Sequence, residues 1–263
     1  MSSLSLAARD SSTMLRRNLL HARRYPSLTL NLLLTPVMLL LLFVYIFGDT
    51  MSAGIGDGGG GRSAYIAYVV PGILLMTIGS TVVGTAVSVS NDMTEGIIAR
   101  FRTMAIHRGS VLVGHVVGSV LQSVASVVLV GAVGVAVGFR SVDATALEWL
   151  AAFGLLVLFA LALTWIAVGM GLVSPNAEAA GNNAMPLILL PLLSSAFTPL
   201  DSMPAWFRPV AEYQPFTPAI ETLRGLLLGT GIGHNGWIAV GWCLGLTVLG
   251  YLWSTARFNG GTK

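Results

Sequence analysis

The stretch Phe197–Gly229, FTPLDSMPAWFRPVAEYQPFTPAIETLRGLLLG, decides how the rest of the chain is read. Long apolar segments precede it and one follows it. It is not a span itself. Prolines at 199, 204, 209, 215 and 218 interrupt any helix, each removing a backbone donor and crowding the preceding turn. Asp201, Arg208, Glu212, Glu221 and Arg224 charge it, yet Trp206, Phe207, Tyr213, Phe216, Leu223 and Leu226 make it too apolar for a free loop. Irregular backbone at membrane depth is tolerated only where protein or a water-filled cavity satisfies it, so this segment is expected to dip in, turn back and guard a cavity. Asp201 or Ser202 is placed to start one short helix through Pro204 to Glu212. Thr217 as N-cap, Pro218 at the first helical position and Gly229 as the stop define a second. The expectation is a re-entrant helical hairpin; a surface amphipathic loop is the plainer alternative.

Working outward, the composition is that of a membrane protein. The chain has 263 residues, 54% hydrophobic and 10% charged, with a mean hydropathy of +0.79. A soluble domain carries roughly a quarter charged residues. The length accommodates about six spans of roughly 20 residues each, with little left for a soluble domain. The fold class read from this is an all-α polytopic membrane protein with six transmembrane helices. The spans are placed at about 28–47, 63–90, 111–139, 149–173, 182–196 and 237–255. The hairpin 197–229 then lies between spans five and six of a single transmembrane domain, 28–263. The pairs Gly114/Gly118, Gly134/Gly138 and Gly241/Gly245 have the four-residue spacing that lets helices approach closely. Span five is short and holds Pro186 and Pro191, a hinge or a static kink. Trp237, Tyr251 and Trp253 sit near the ends of span six, as aromatic residues do at membrane interfaces.

Residues 1–27 form a separate basic segment. Leu15 and Leu19 share a face, with Arg16, Arg17, Arg23 and Arg24 mostly off it. This is the pattern of an amphipathic helix lying on membrane lipid, or of a tail that only sets topology. With six spans, one side of the membrane holds ten Arg and Lys residues and the other holds Arg62, Arg140, Arg208 and Arg224. That asymmetry puts both termini in the cytoplasm and the hairpin outside. The apolar run after residue 27 is too long for a secretory h-region and lacks a small-residue cleavage pattern, so no cleavable signal peptide is expected.

Several chemistries are missing. The sole lysine, Lys263, is terminal and no Walker A motif occurs, so the chain is not expected to hydrolyse ATP. The glycine run at 58–61 is not followed by Lys-Ser/Thr. The single cysteine, Cys243, allows neither an intrachain disulfide nor a Cys-based metal site, and no other metal-ligand pattern occurs. The charge of +3 follows from topology and is no sign of nucleic-acid binding. His115 is the single titratable candidate within a span besides Cys243 and the tyrosines, and packing is its commoner use. Asn182 and Asn183 fit either a transport path or interhelical hydrogen bonding.

A scaffold with a gate and no engine needs an engine on another chain. The loop 91–110 offers a docking surface. Ile97, Phe101 and Met104 recur on one helical face after Glu95 and Gly96, with Arg100 and Arg102 at the rim. The arginines also serve to anchor the preceding span inside.

At this point the residues resemble a family: the permease subunit of type-2 ATP-binding-cassette exporters, in its daunorubicin-resistance-like branch. The likeness extends over nearly the whole chain. Its most specific part is the order Met203-Pro204-Ala205-Trp206, then Gln214-Pro215-Phe216-Thr217-Pro218, then Glu221-x-x-Arg224-Gly225-x-x-x-Gly229, with Asn91-Asp92-Met93-Thr94-Glu95-Gly96 before the basic loop. The resemblance implies two permeases, the second a copy or a homologue, and two ATPase subunits that bind ATP and Mg; this chain itself would hold no cofactor. Glu95, Gly96, Ile97, Arg100, Phe101, Arg102 and Met104 would contact the ATPases together with the N-terminal helix. Spans two and five would line the path, with Asn182 and Asn183 beside it and Pro186 and Pro191 as its hinge. Met203, Pro204, Trp206, Phe207, Pro215, Phe216 and Arg224 would close the outer end, with Glu221 and Arg224 as a structural pair. The setting would be a bacterial plasma membrane and the cargo an amphipathic or hydrophobic drug, antibiotic or lipid. A polysaccharide or glycolipid exporter of the same class, and an ion-coupled secondary transporter, are the alternatives.

Overall fold

The structure, a computed structural model, describes residues 26–48, 61–94, 108–141 and 143–260. The expected interfacial helix with Leu15, Arg16, Arg17, Leu19, Arg23 and Arg24, and the expected docking segment from Glu95 to Met104, lie outside these residues. All regular structure among the described residues is helical. In chain order it comprises α1 (Pro26–Leu42), which widens into a π-turn (Phe43–Phe47), α2 (Gly61–Thr94), α3 (Arg108–Val137) and α4 (Ala146–Val173). A broken stretch follows: α5 (Ala177–Ala184), α6 (Pro186–Leu189) and a 3-10 turn (Leu190–Leu193). A second 3-10 turn (Leu200–Ser202), α7 (Arg208–Tyr213), α8 (Phe216–Leu228) and α9 (Asn235–Gly260) complete it.

Four of these, α2, α3, α4 and α9, are long and apolar enough to cross a membrane. At about 1.5 Å per residue each exceeds the hydrocarbon thickness of a bilayer. The hub is α2: 83% of its most apolar window is buried, against 17% for α9, which stands at the periphery. α4 packs on α2 and α9; α3 packs on α2 and α4; α1 packs on α2 and α3. The short α8 wedges among α2, α4 and α9. Residues such as Tyr65, Ile73, Leu75, Phe159, Leu163, Phe216 and Ile220 are completely or almost completely enclosed there.

Small residues set the helix spacing. A Cβ at Gly171 would lie 2.5 Å from the Ala86 carbonyl oxygen of α2, and one at Gly250 would lie 2.8 Å from the Trp165 side chain of α4. Gly169 leaves room for the Trp253 ring, and Gly79 for the Leu187 carbonyl. The close approaches therefore differ from those expected at the paired glycines. A Cβ at Gly241 or Gly245 would meet nothing within 4 Å among the described residues, and one at Gly134 would make ordinary contact with Val70. Spacing marks a groove on a helix, but the tertiary arrangement decides whether another helix enters it.

Boundaries shift in two informative ways. α2 extends past Ser90 to Thr94, where the Thr94 hydroxyl donates back to the Ser90 and Asn91 carbonyls, each at 3.1 Å. And 182–196, read from hydropathy as one span, is not one continuous helix. A helix starts earlier, at Ala177, where Asn176 Oδ1 accepts from Ala179 N at 2.8 Å. It yields at Met185, resumes at Pro186 and tightens into 3-10 geometry from Leu190 before Ser194 turns extended. Proline tolerates a first helical position but removes the donor an interior turn needs, which is why two prolines five residues apart divide the segment.

Candidate functional site

The hairpin and the broken segment meet at one end of the bundle. Residues 200–228 fold as a 3-10 turn, α7 and α8. The first expected helix is thus divided: Pro204 and Pro209 confine regular α-helix to Arg208–Tyr213. The second starts at Phe216, earlier than the Thr217 N-cap predicted. The Thr217 hydroxyl instead donates to the Ala211 carbonyl at 2.5 Å and accepts from Ser195 N at 3.4 Å, so it ties α7 and the broken segment to α8. Gly229 ends α8 as expected. It adopts φ +67, and its Cβ position lies 2.7 Å from the Asp143 backbone, so a side chain there is both strained and blocked.

Arg224 is the centre of this region. Its guanidinium donates to the Glu221 carboxylate at 2.6 Å, to the Tyr68 carbonyl of α2 at 3.1 and 3.3 Å, and to the Ser195 carbonyl at 2.9 Å. It also lies 3.7 Å over the Tyr68 ring centroid. The side chain is 11% exposed. The pair with Glu221, expected as an isolated i,i+3 contact, is one arm of a clamp joining three elements. The clamp falls where α2 is weakest, since Pro71 offers no N–H to the preceding turn. Beside it, a Cβ at Gly72 would lie 2.6 Å from that of Ala196, so α2 and the end of the broken segment touch backbone to backbone.

A second clamp comes from Gln214, whose side-chain NH₂ donates to the carbonyls of Leu190 and Leu193 at 3.1 and 2.9 Å. These are carbonyls that an unbroken helix would have satisfied internally. The planar fork of Arg224 and the two donors of Gln214 therefore take up carbonyls left open where the helix stops at Ser194.

The other expected residues divide by position. Phe216 is wholly buried and packs edge-on against Phe159 at 5.0 Å, anchoring α8 to α4. Pro215 precedes it as the cap of α8. Trp206 is 79% exposed and packs edge-on against Phe207 at 5.5 Å; Pro204 is exposed and Met203 half-buried. Asn182 is exposed. Asn183 donates to the Ser174 hydroxyl at 3.0 Å, a local brace of the turn after α4.

At the opposite end of α2 the structure adds a residue that the reading of the sequence missed. Asp92, assigned to a polar loop, lies inside α2 and is 7% exposed. Its Oδ2 is 2.9 Å from His115 Nε2 of α3. His115 is therefore packed against a carboxylate, and the span it occupies is not free of acid–base pairs. Separately, one turn further along α3, Thr85 donates to Ser119 at 2.6 Å, and Ser119 lies 3.2 Å from the Thr164 hydroxyl of α4. The spacing His115-x-x-x-Ser119-x-x-x-Ser123 on one face of α3 was the available signal.

The comparisons agree with this architecture. A profile of the ABC-2 type transporter family matches residues 10–228. Among characterised relatives, the daunorubicin resistance ABC transporter permease protein DrrB1 of Streptomyces coeruleorubidus is 28% identical over 220 residues, 83% of this chain and 75% of its own length. The probable doxorubicin resistance ABC transporter permease protein DrrC of Mycobacterium tuberculosis (strain H37Rv) is 21% identical over 199 residues, 74% of this chain and 68% of its own.

Proposed function

This chain belongs to the ABC-2 type transporter family, and from that membership we propose that it is the transmembrane permease subunit of an ATP-driven exporter. Its ATPase subunits are separate chains, two per complex, bound at the cytoplasmic side together with a second permease. ATP and Mg reside on those subunits. The segment from Pro26 to Phe47 and the broken stretch from Ala177 to Leu193 bring the four long helices to six membrane segments. In this arrangement both termini are cytoplasmic and the hairpin lies at the outer face of the plasma membrane.

The observation that carries the proposal is the double clamp of Arg224 and Gln214 on a segment that cannot close its own hydrogen bonds. A short helix pinned across a broken span by a few side-chain donors is a movable cover rather than a span. ATP-driven motion enters at Glu95–Met104 and passes along α2, the buried hub. It reaches Tyr68 and Gly72, where α2 meets the hairpin and the broken segment. Release of the carbonyls of Tyr68 and Ser195 by Arg224 lets the cover move and an amphipathic molecule leave. The cargo class, an amphipathic or hydrophobic drug-like or lipid-like molecule, is drawn from the names of the relatives and from the apolar character of the spans.

One observation favours a second reading. The buried Asp92–His115 pair is the kind of group an ion-coupled secondary transporter uses. The two readings separate in one experiment. Tagged protein is extracted in mild detergent from native membranes, and the eluate is assayed for ATPase activity and a co-purifying Walker-motif chain, with Glu95→Ala/Arg100→Ala as the comparison. The exporter reading predicts a co-purifying ATPase whose yield falls in the double variant. A protein that elutes alone in several detergents, and whose transport collapses with the proton gradient rather than with ATP, would replace it by the secondary-transporter reading.

A further inference from the structure

A cleft of about 410 Å³ opens on the flank of the bundle between α4, α8 and α9. Gly154, Leu155 and Leu158 of α4, Leu226 of α8, and Gly236 and Val240 of α9 line it. Thr222 supplies the lone side-chain hydroxyl in the lining, and it already donates to the Pro218 carbonyl at 2.7 Å. Besides that satisfied hydroxyl, the lining side chains offer one polar atom, the Trp237 indole N–H at the rim, so the body of the cleft is built for hydrocarbon.

Its depth can be read from its rim. Trp237 lines the cleft yet is 82% exposed at the start of α9, and tryptophan at the end of a span sits at headgroup level. Along α4 the cleft runs from Ala151 to Leu158, seven residues or about 10 Å at about 1.5 Å per residue. The neighbouring surface of α4 at Leu150 and Phe153 is exposed and apolar, so the flank faces lipid.

The glycines make the cleft a feature rather than a packing remnant. At Gly169, Gly171 and Gly250 a Cβ would collide with a neighbouring helix; at Gly154 and Gly233 it would meet nothing within 4 Å. Gly154 stands in the interior of an apolar helix, where glycine costs about 1 kcal/mol relative to alanine. It allows no closer helix contact in return. What its missing side chain leaves is space.

We propose that this cleft holds one acyl chain of a membrane lipid from the leaflet on the hairpin side, with the lipid headgroup beside Trp237. Such a lipid rests against Thr222 and Leu226 of α8, the helix that carries Arg224, so the leaflet supports the hairpin from behind. The inference requires that α4 and α9 span a bilayer and does not depend on the export reading.

The test uses the full chain reconstituted in phosphatidylcholine vesicles containing a phosphatidylcholine with a diazirine on one acyl chain. After photolysis, labelled peptides are mapped by mass spectrometry. Labelling around Leu158 and Val240 should exceed that on the open apolar face of α3 at Leu121, Val128 and Leu129. Gly154→Leu, and independently Val240→Trp, should reduce it to the α3 level, and Gly241→Leu, outside the cleft, should leave it unchanged. Equal labelling of the two regions, or an excess that survives both filling substitutions, would overturn the proposal. So would an excess displaced by a planar aromatic amphiphile, which would make the cleft a cargo site instead.

Discussion

α4 and the broken segment that follows it are neighbours in the chain with opposite designs. α4 runs 28 residues without proline, opened by a capping box in which Thr145 and Glu148 exchange hydrogen bonds. No proline interrupts its backbone hydrogen bonds, and most of its buried side chains are apolar. The stretch from Ala177 to Leu193 loses that self-sufficiency at Met185 and Pro191, and donors from elsewhere, Gln214 and Arg224, take up the carbonyls of Leu190, Leu193 and Ser195. A span that closes its own hydrogen bonds can move only as a rod. One that borrows donors can exchange them, and so can change shape at modest cost. On the proposed reading, that difference makes the hairpin the moving part and α2 and α4 the rigid part.

Substitutions break this contrast by different amounts. Arg224→Ala has the largest effect expected. It removes three carbonyl contacts and strands a partly buried Glu221, a loss of about 3 kcal/mol by analogy with broken buried pairs. In a Cys243→Ala background, a cysteine at Ser195, which is 1% exposed, should change from protected to reactive toward a membrane-impermeant maleimide. Arg224→Lys should recover only part of the protection, because a single ammonium cannot serve acceptors on two elements in the plane of a guanidinium.

Gly171→Leu tests the rigid side. It forces a side chain against the Ala86 carbonyl and should cost about 2 kcal/mol through overpacking, seen as a lower unfolding temperature in detergent with no increase in Ser195 reactivity. Gln214→Ala is the milder version of the clamp loss. About 1 kcal/mol is expected for its hydrogen bonds, with partial exposure of a cysteine at Ser194, which is wholly buried. Thr145→Ala removes the α4 cap and should cost somewhat less than about 1 kcal/mol, measurable as faster hydrogen exchange in the first turn of α4 and nowhere near the hairpin. If the α4 variants exposed Ser195 as strongly as Arg224→Ala does, the division into rigid and moving parts would fail.

How much of this was legible in the sequence depended on whether the signal was local. The apolar runs of α2, α3, α4 and α9 are local, and their positions were found to within a few residues. Gly229 and the prolines of the hairpin carry conformational constraints of their own, so the short helices and the stop at Gly229 could be read directly. Arg224 was identified, but its contact with Glu221 at i,i+3 was the only one that sequence spacing can reveal; Tyr68 and Ser195 lie 156 and 29 positions away. Asp92 was misplaced for a related reason. A charge two residues past an apolar run reads as loop unless its partner is known, and His115 supplies that partner from another helix. The glycine pairs at 241 and 245 show the reverse error, a local pattern with no helix against it among the described residues. The break inside the fifth segment was not legible as a loss of helix, because hydropathy reports burial and not hydrogen bonding.

The most direct measurement is ATP-dependent accumulation of a fluorescent amphipathic cation in inverted membrane vesicles that contain this chain with its ATPase subunits, wild type against Arg224→Ala, with ATP hydrolysis followed in the same vesicles. The account predicts accumulation by the wild type, and in the variant continued hydrolysis with little or no accumulation, because a cover that no longer closes lets cargo leak back. Equal ATP-dependent accumulation in both would contradict the claim that the clamped hairpin is the gate.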